Sequence, residues 1–325
     1  MTSIEICAGA GGQALGLEQA GFEHVALVEI DQHACATLRA NRPQWNIIEG
    51  DVKSFSAVKY RGIDLFAGGV PCPPFSIAGN QLGGEDERDL FPEALRLIKE
   101  CEPKAVMLEN VHGIFAPKFD EYRQSIIRKL RRMGYKCIWE PVHTNHFGVP
   151  QQRTRSILIA LKPKYAKHFV WPVGVAAPPP TVGQLLFEEM ASSGWMGALE
   201  WMNQADGIAP TLVGGSKKHG GADLGPTRAK KAWEKLGVDG MGLADEPPAA
   251  DFVGNPKLTV KMAALVQGFP KEWEFAGKKT PAYRQVGNAF PPPVAKAIGK
   301  SIMKALMAVN KEQEPARHEE TRITG

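Results

Sequence analysis

Short apolar runs alternate with longer helical patterns over the first 160 residues, and this alternation constrains the fold more than any other feature. The runs predict strands at residues 3–6, 24–28, 46–48, 63–66, 105–108, 136–141 and 157–161, and the patterns between them predict helices at 13–20, 32–41, 90–100 and 119–133. Such alternation is typical of an α/β fold with a doubly wound, mostly parallel sheet. Ligands bind such sheets at the carboxyl ends of the strands, so the residues that follow each strand are the first candidates for a site.

The regular pattern breaks down in the middle of the chain, where proline and glycine clusters interrupt it. This stretch predicts a second, smaller, loop-rich domain at residues 164–257. A helical run at 294–308 returns the chain to the large domain, which we assign to 1–163 and 258–310. Residues 311–325 are polar, and we interpret them as a frayed tail.

The composition, with 43% hydrophobic and 23% charged residues, is that of a globular protein. No apolar run is long enough to cross a membrane, and the N-terminus lacks the basic start of a signal peptide, so we expect a cytoplasmic protein without membrane contact. The 5 cysteines form no C-x-x-C pair and their number is odd. Both facts argue against a disulfide framework or a zinc site.

Charge is unevenly distributed, although the net charge is only +4. Residues 1–115 carry 9 Lys/Arg against 16 Asp/Glu, whereas residues 116–170 carry 12 against 3. A basic segment beside an acidic one predicts a face that meets a polyanion such as nucleic acid. The alternative is a solvated helix face, because Arg128, Lys129 and Arg131 fall in one helical run.

A glycine-rich turn follows the first predicted strand. Gly9, Gly11 and Ala14 satisfy the pattern G-x-G-x-x-A, and glycines at a strand-to-helix turn let the backbone approach a ligand. Glu29 lies 20 residues after Gly9, and Asp51 follows the third strand. Nicotinamide, flavin and S-adenosylmethionine enzymes all use such a turn, but two carboxylates at successive strand ends suit a ribose and an adenine amino group better than a pyrophosphate.

Cys72 follows the fourth predicted strand and stands between Pro71 and Pro73. A cysteine is by default a small buried hydrophobe, but prolines stiffen this loop and it lacks apolar alternation, so a nucleophile is an equal alternative. Glu109 directly follows the strand at 105–108, and a charge at such a boundary needs a partner or a function.

Polar groups also precede the last strand and the last helix. Arg153 and Arg155 are two residues apart, so on an extended chain they share a face. They could clamp phosphates, pair with Glu109 or hold a carbonyl oxygen of a base. Asn288 stands just before the triple proline at 291–293, which forces an extended approach to the helix that follows.

From residue 3 to residue 305 the chain resembles the DNA cytosine-5 methyltransferases. The matching blocks, in the order of that family, are residues 8–12, Glu29, 50–52, 71–76, 109–111, 151–155, 265–270 and 285–289. The resemblance implies a Rossmann-like domain that binds S-adenosylmethionine and a smaller target-recognition domain that reads double-stranded DNA. It also implies methyl transfer to carbon 5 of a cytosine that is flipped out of the duplex.

The resemblance further implies a role for each catalytic position. Cys72 would attack carbon 6 of the cytosine, and Glu109 would bond ring N3 and the exocyclic amine. Arg155, supported by Arg153, would hold the O2 side. From the glycines at 79, 83 and 84 we further predict that the loop at residues 71–84 closes over the flipped base.

Cofactor contacts are implied for Cys7, Gly9, Gly11, Gly12, Glu29, Ile30, Asp51, Val52, Asn288 and Ala289, and no metal is expected. Glu29 would hold the ribose, and Asp51 would hold the adenine amino group. Ile30 and Val52 would flank the adenine faces. Asn288 would position either the nucleophile loop or the cofactor.

DNA contacts are expected from Ser76, Gln151, Thr211, Lys217 and Lys218. Thr211 would lie near the phosphate of the flipped nucleotide. Residues 214–221 could enter a groove of DNA or form a plain surface loop, and both interpretations stay open. Trp195 and Trp201 are interpreted as core residues rather than as base-stacking residues.

Three features depart from the pattern of the family. Cys7 stands where an aromatic residue is common, so the edge contact with adenine would be weaker. Pro73 stands where a glutamine is common, and residues 257–262 match a more acidic block only loosely. None of these departures removes a chemical group that the reaction needs.

Two other functions remain possible at this point: a methyltransferase of transfer RNA with the same catalytic core, and a DNA-binding regulator with an inactive core. The substantial second domain favours DNA, and the presence of every expected reactive group disfavours the regulator. The chain has the size of stand-alone bacterial or phage enzymes, which by analogy suggests a cognate restriction endonuclease. We expect a nucleoid-associated monomer.

Overall fold

The computed structural model describes residues 1–71, 89–215 and 221–313. Its central sheet contains β1 (Thr2–Ile6), β2 (Glu23–Glu29), β3 (Ile47–Glu49), β4 (Leu65–Gly69), β5 (Ala105–Val111), β6 (Lys136–His143) and β8 (Thr154–Leu161), and a separate pair is formed by β7 (Gln151–Gln152) and β9 (Ala209–Pro210). The strand order in the large sheet is β3-β2-β1-β4-β5-β8-β6. All neighbours are parallel except the pairs that involve β8, which are antiparallel. The predicted doubly wound, mostly parallel sheet is therefore confirmed.

The helices are α1 (Gly12–Ala20), α2 (Gln32–Asn41), α3 (Phe91–Cys101), α4 (Asp120–Arg132), α5 (Pro163–Ala166), α6 (Val182–Ala191), α7 (Ala198–Gln204), α8 (Thr227–Glu234), α9 (Val260–Val266), α10 (Lys279–Asn288) and α11 (Pro292–Gln313). The four helices predicted in the first half of the chain are confirmed as α1 to α4. Helix α10 is not among the predictions, because Pro281 and Gly287 interrupt its pattern. Proline is nevertheless tolerated in a first turn, where the backbone N–H has no helical partner.

The last helix packs directly on the first one. A Cβ at Gly16 of α1 would overlap the backbone of Pro292 and the side chain of Ala295, so α11 approaches α1 as closely as a glycine allows. This contact holds the start of α1 rigidly behind the glycine turn. The rest of the predicted tail beyond Gln313 lies outside the described residues.

One hydrophobic cluster contains residues of the predicted second domain together with residues of β2 and α2. It runs from Leu38 and Trp45 through Trp273 to Trp195 and Trp201. Trp195 and Trp201 are 7% and 3% exposed, which confirms that they are core residues. Because the cluster is continuous, the orientation of helices α6 to α8 relative to the sheet is set by packing.

The basic residues at the end of α4 do not face the carboxyl ends of the strands. Arg128, Lys129 and Arg131 are exposed at the C-terminal end of α4, just before β6 begins. Lys136 of β6 lies beside Leu161, which in turn pairs with Ala105 at the amino end of β5. For these three residues, the interpretation as a solvated helix face is favoured over a polyanion-binding face.

Within the described ranges, every helix is too short or too polar to cross a membrane.

Candidate active site

A cavity of about 530 Å³ opens at the carboxyl ends of β1, β2, β4 and β5. Of the predicted cofactor contacts it is lined by Cys7, Gly9, Gly12, Glu29, Ile30, Asp51, Val52, Asn288 and Ala289. Gly11 does not line it, and a Cβ at this position would point towards Leu38 and Trp273. Gly11 has a φ of 85° at the start of α1, and it therefore shapes the turn instead of touching a ligand.

The glycine turn is held in an unusual backbone conformation. Gly9 has a φ of 55°, and Cys7, which is not a glycine, has a φ of 51°. A positive φ is uncommon for a residue with a Cβ and clusters at functional sites. A Cβ at Gly12 would overlap the carbonyl oxygen of Phe290, so the turn is also pressed against the start of α11.

The carboxylate of Glu29 organises this turn. Its Oε2 accepts a hydrogen bond from the backbone N–H of Gly9 at 2.7 Å. Its Oε1 accepts from the N–H groups of Ile30 and Asp31 at 2.9 and 2.8 Å. Glu29 therefore ties the end of β2 to the glycine turn, and it also lines the cavity.

The neighbouring strand end supplies the second predicted carboxylate. Asp51 is exposed, and its Oδ1 accepts a hydrogen bond from the N–H of Lys53 at 2.9 Å. Ile30 is 65% exposed, whereas Val52 is 5% exposed. Such an exposed isoleucine at the mouth of a polar cavity offers an apolar surface to a flat ring.

Glu109 and Arg155 form a buried ion pair at the same edge of the sheet. Nε of Arg155 lies 2.9 Å from Oε1 of Glu109, and their side chains are 13% and 11% exposed. Burial raises the pKa of the Glu109 carboxyl, while the charges of Arg155 and Arg153 oppose that rise. Glu109 lines the cavity, so its carboxyl group can meet a ligand there while Arg155 holds it in place.

The loop that contains the predicted nucleophile starts and ends beside this pair. Gly69 of β4 pairs with Glu109 of β5, and Pro71 and Leu90 both line the cavity. The backbone N–H of Leu90 donates to the carbonyl of Pro71 at 3.2 Å, which closes the base of the loop. Cys72 and Ser76, like Lys217 and Lys218 further along the chain, lie outside the described residues.

Arg153 and Gln151 lie inside the protein. Arg153 is 1% exposed and donates hydrogen bonds to the carbonyl oxygens of Leu212, Gly287 and Ala289 at 2.7, 2.9 and 3.1 Å. Gln151 is fully buried, and its amide is bonded within the protein. The side chain of Gln151 therefore stabilises the protein interior. It does not reach the predicted DNA interface, because it is not accessible to solvent.

Thr211 and Asn288 sit nearer the surface. The hydroxyl of Thr211, which is half-buried, donates to the carbonyl of Gln152. Asn288 is exposed, and its amide donates to the carbonyl of Gly215 at 3.1 Å. Asn288 therefore connects the rim of the cavity to the segment that carries Thr211.

Glu5 and Gln13 line the cavity too, although they are not among the predicted residues. They are 1% and 4% exposed, and Oε2 of Glu5 and both amide atoms of Gln13 have no hydrogen-bond partner among the described residues. Burial raises the pKa of the Glu5 carboxyl. The only signal in the sequence is the alternation of β1, which puts Ser3 and Glu5 on one face.

Among the described residues, no group of three or more His, Cys, Asp or Glu side chains could hold a metal ion. The described cysteines, including Cys7 and Cys137, are free thiols.

Comparison with known proteins gives a consistent result. The chain is 57% identical over 309 residues to "Type II methyltransferase M.NaeI" of Lentzea aerocolonigenes, which covers 93% of this chain and 75% of that protein. It is 54% identical to "Type II methyltransferase M.NgoMIV" of Neisseria gonorrhoeae, with 95% of this chain and 99% of that protein covered. The solved structure of the S. pombe Dnmt2 methyltransferase shares the fold, with a TM-score of 0.62 at 17% identity over 95% of this chain and 99% of that chain.

A family model described as "C-5 cytosine-specific DNA methylase" matches residues 1–304, which is nearly the whole chain. The cavity, the glycine turn and the Glu109–Arg155 pair all lie within that match. The chain therefore belongs to the C-5 cytosine-specific DNA methylases and is a DNA cytosine-5 methyltransferase.

Proposed function

We propose that this enzyme uses S-adenosylmethionine to methylate a cytosine within a specific sequence of double-stranded DNA, by covalent attack of Cys72 on carbon 6 of a flipped-out base. The observation that carries the proposal is the buried Glu109–Arg155 pair, because its carboxyl group belongs to a residue that lines the same cavity as the glycine turn and Pro71. A base-recognition pair, a cofactor turn and the start of the nucleophile loop thus meet at one sheet edge.

The cavity fits S-adenosylmethionine in size and chemistry. Its volume of about 530 Å³ lies within the usual range for small-molecule sites. Glu29 suits the ribose hydroxyls, Asp51 suits the adenine amino group, and Ile30 and Val52 suit the adenine faces. Cys7, Gly9, Gly12, Asn288 and Ala289 would complete the site, with Gly11 shaping it from behind. When bound, the cofactor supplies an electrophilic methyl group.

The residues of the chain activate the cytosine. The thiolate of Cys72 forms a bond to carbon 6, and negative charge then develops on the ring at N3 and O2. Because burial raises its pKa, the Glu109 carboxyl keeps a proton more readily and can donate it towards N3. Arg155 stabilises the charge on the O2 side. After methylation the carbon 5 proton leaves to a base, and the bond between carbon 6 and sulfur breaks.

Arg153 has a supporting role in this scheme, since its guanidinium is bonded to backbone carbonyls. The base itself must leave the stack at a cost of a few kcal/mol, and the loop at 71–84 would close over it. We assign sequence reading to residues 164–257, with DNA contacts from Ser76, Thr211, Lys217 and Lys218. The names of the Type II relatives support a restriction–modification context with a cognate endonuclease.

The test combines methyl transfer with covalent trapping. The enzyme is incubated with labelled S-adenosylmethionine and either duplex DNA or RNA, and then with DNA that contains 5-fluorocytosine, from which the covalent adduct cannot be released. We expect transfer to DNA and an adduct that Cys72→Ser abolishes. The matched control is Cys137→Ser, a half-buried thiol on β6 that does not line the cavity. Transfer that persists in Cys72→Ser, or that occurs on RNA alone, would refute the proposal.

A further inference from the structure

A short segment connects the predicted target-recognition domain to the cofactor cavity. Residues 210–215, here called the strap, lead from β9 into the segment at 216–220. The strap begins where β9 pairs in parallel with β7, and the N–H of Ala209 donates to the carbonyl of Pro150 at 2.8 Å. It carries Thr211 on its outer side. The strap is thus the part of the recognition domain that lies next to the catalytic machinery.

Two buried side chains hold the peptide groups of Leu212 in the middle of the strap. The amide oxygen of Gln151 accepts from the N–H of Leu212 at 3.0 Å. Nη1 of Arg153 donates to the carbonyl of Leu212 at 2.7 Å. Gln151 and Arg153 are 0% and 1% exposed, so water does not compete for these bonds.

The other arm of the same guanidinium reaches the wall of the cavity. Nη2 of Arg153 donates to the carbonyls of Gly287 and Ala289 at 2.9 and 3.1 Å. Asn288 and Ala289 line the cofactor cavity. A guanidinium is a rigid planar fork, so a shift of the carbonyl on one arm changes the bonds on the other. One buried side chain therefore ties the strap to the cavity wall.

The strap also crosses helix α10 at van der Waals contact. A Cβ at Gly287 would overlap the backbone nitrogen of Gly214, and a Cβ at Gly214 would overlap the carbonyl of Arg284. Neither glycine has a positive φ, so what they provide at this crossing is space. Beyond it, the amide of Asn288 donates to the carbonyl of Gly215 at 3.1 Å.

We propose that Arg153 is a positioning residue that couples DNA binding at the strap to cofactor binding at Asn288 and Ala289. This inference rests on the proposed function. DNA that engages the strap would stabilise the arrangement of residues 287–289 that the cofactor requires, and the bound cofactor would stabilise the strap for DNA. Such coupling is reciprocal by thermodynamic necessity.

The test measures the dissociation constant of S-adenosylhomocysteine by calorimetry, with and without a duplex that the wild-type enzyme methylates. That duplex is found by mapping 5-methylcytosine in an expression host. In the wild type we expect the duplex to tighten binding about 10-fold. In Arg153→Lys, whose single ammonium cannot span both sets of carbonyls, we expect the ratio of the two constants to fall towards one. A merely structural role would weaken both constants and leave their ratio unchanged.

A second variant keeps the guanidinium and displaces the strap. Gly214→Ala forces the strap away from α10 and should also lower the ratio, even if Arg153→Lys fails to fold. The matched control is Gly242→Ala, whose Cβ would have only ordinary contacts at 3.8 Å, and it should keep the wild-type ratio. A wild-type ratio in either folded test variant, or a ratio of one in an active wild-type enzyme, overturns the coupling. A wild type that does not bind S-adenosylhomocysteine contradicts the proposed function itself.

Discussion

Arg155 donates from Nε to Oε1 of Glu109 at 2.9 Å, and the two side chains are only 13% and 11% exposed. The antiparallel register of β5 and β8, in which Val111 pairs with Arg155, sets this distance. Preorganised charges of this kind act on a reaction without first having to reorganise. The pairing of two strands of the central sheet therefore determines the position of this ion pair.

The first prediction concerns the carboxyl of Glu109. Glu109→Gln keeps the shape of the side chain but removes the proton that we assign to ring N3, so kcat should fall about 10²- to 10⁴-fold. The fold should persist, since an amide oxygen can still accept from Arg155. Steady-state kinetics and a melting curve check both points. Glu140→Gln, an exposed site on β6, is the control, and a kcat within threefold of the wild type in Glu109→Gln would contradict the assigned role.

The second prediction concerns Glu29, whose carboxylate accepts three backbone N–H groups. In Glu29→Gln one of the two oxygens becomes a donor, which leaves at least one buried N–H without an acceptor. We expect the affinity for S-adenosylhomocysteine to fall about 10-fold or more, measured by calorimetry. Glu23→Gln at the exposed start of β2 should bind as the wild type does. Unchanged binding in Glu29→Gln would mean that this carboxylate neither shapes nor touches the cofactor site.

The third prediction compares Gly9 and Gly12 of the glycine turn. In Gly12→Ala the new Cβ overlaps the carbonyl oxygen of Phe290. In Gly9→Ala the new Cβ meets nothing within 4 Å, so the only cost is the strain of a positive φ in a residue with a side chain. Gly9→Ala should therefore cost about 1–2 kcal/mol of unfolding free energy, and Gly12→Ala should cost more. Urea unfolding of both variants measures the difference. The reverse order would show that the packing of the turn on α11 is not the limiting contact.

The fourth prediction is a pH dependence that originates at His24. Ring Nδ1 lies 2.9 Å from the hydroxyl of Ser3 and ring Nε2 lies 2.8 Å from the carbonyl of Ala14, and burial lowers the pKa of this imidazole. An unfolded imidazole has a pKa of about 6.5, so below that pH the unfolded chain binds a proton that the folded chain does not. Stability from this group is present above pH 6.5 and is lost as the pH falls towards the lowered folded pKa.

The loss can reach about 1.4 kcal/mol per pH unit. His24→Gln, which keeps a donor and an acceptor, should remove this part of the slope when unfolding free energies are compared between pH 7.5 and pH 5.5. His112→Gln, which lies on the surface, should keep the wild-type slope. Identical slopes in the wild type and His24→Gln would contradict the assignment.

Much of the site could be predicted because it depends on strand ends. Glu29, Asp51 and Glu109 each follow an apolar run that becomes a parallel strand, and parallel strands bring their carboxyl ends together. Glu5 and Gln13 could not be predicted in this way. Their polar side chains are buried, and the cavity that they line is completed by Asn288, Ala289 and Phe290 from the far end of the chain.

The different positions of Arg153 and Arg155 could not be predicted from the local sequence. An extended chain would put Arg153 and Arg155 on one face, yet Arg155 meets Glu109 while Arg153 meets Leu212, Gly287 and Ala289. The reason is that β7 ends at Gln152 and β8 begins at Thr154, so the chain is not one regular strand across Arg153.

By itself, the sequence determined the α/β class, the glycine turn and the carboxylates at strand ends, since these depend on periodicity and on residues close together in the chain. Only the tertiary structure decided that Gln151 is buried, that Arg153 braces the strap, and that Asn288 meets Gly215. These contacts join residues that are far apart in sequence, and they form because packing of residues 164–257 and α10 against the sheet leaves each buried donor only certain acceptors.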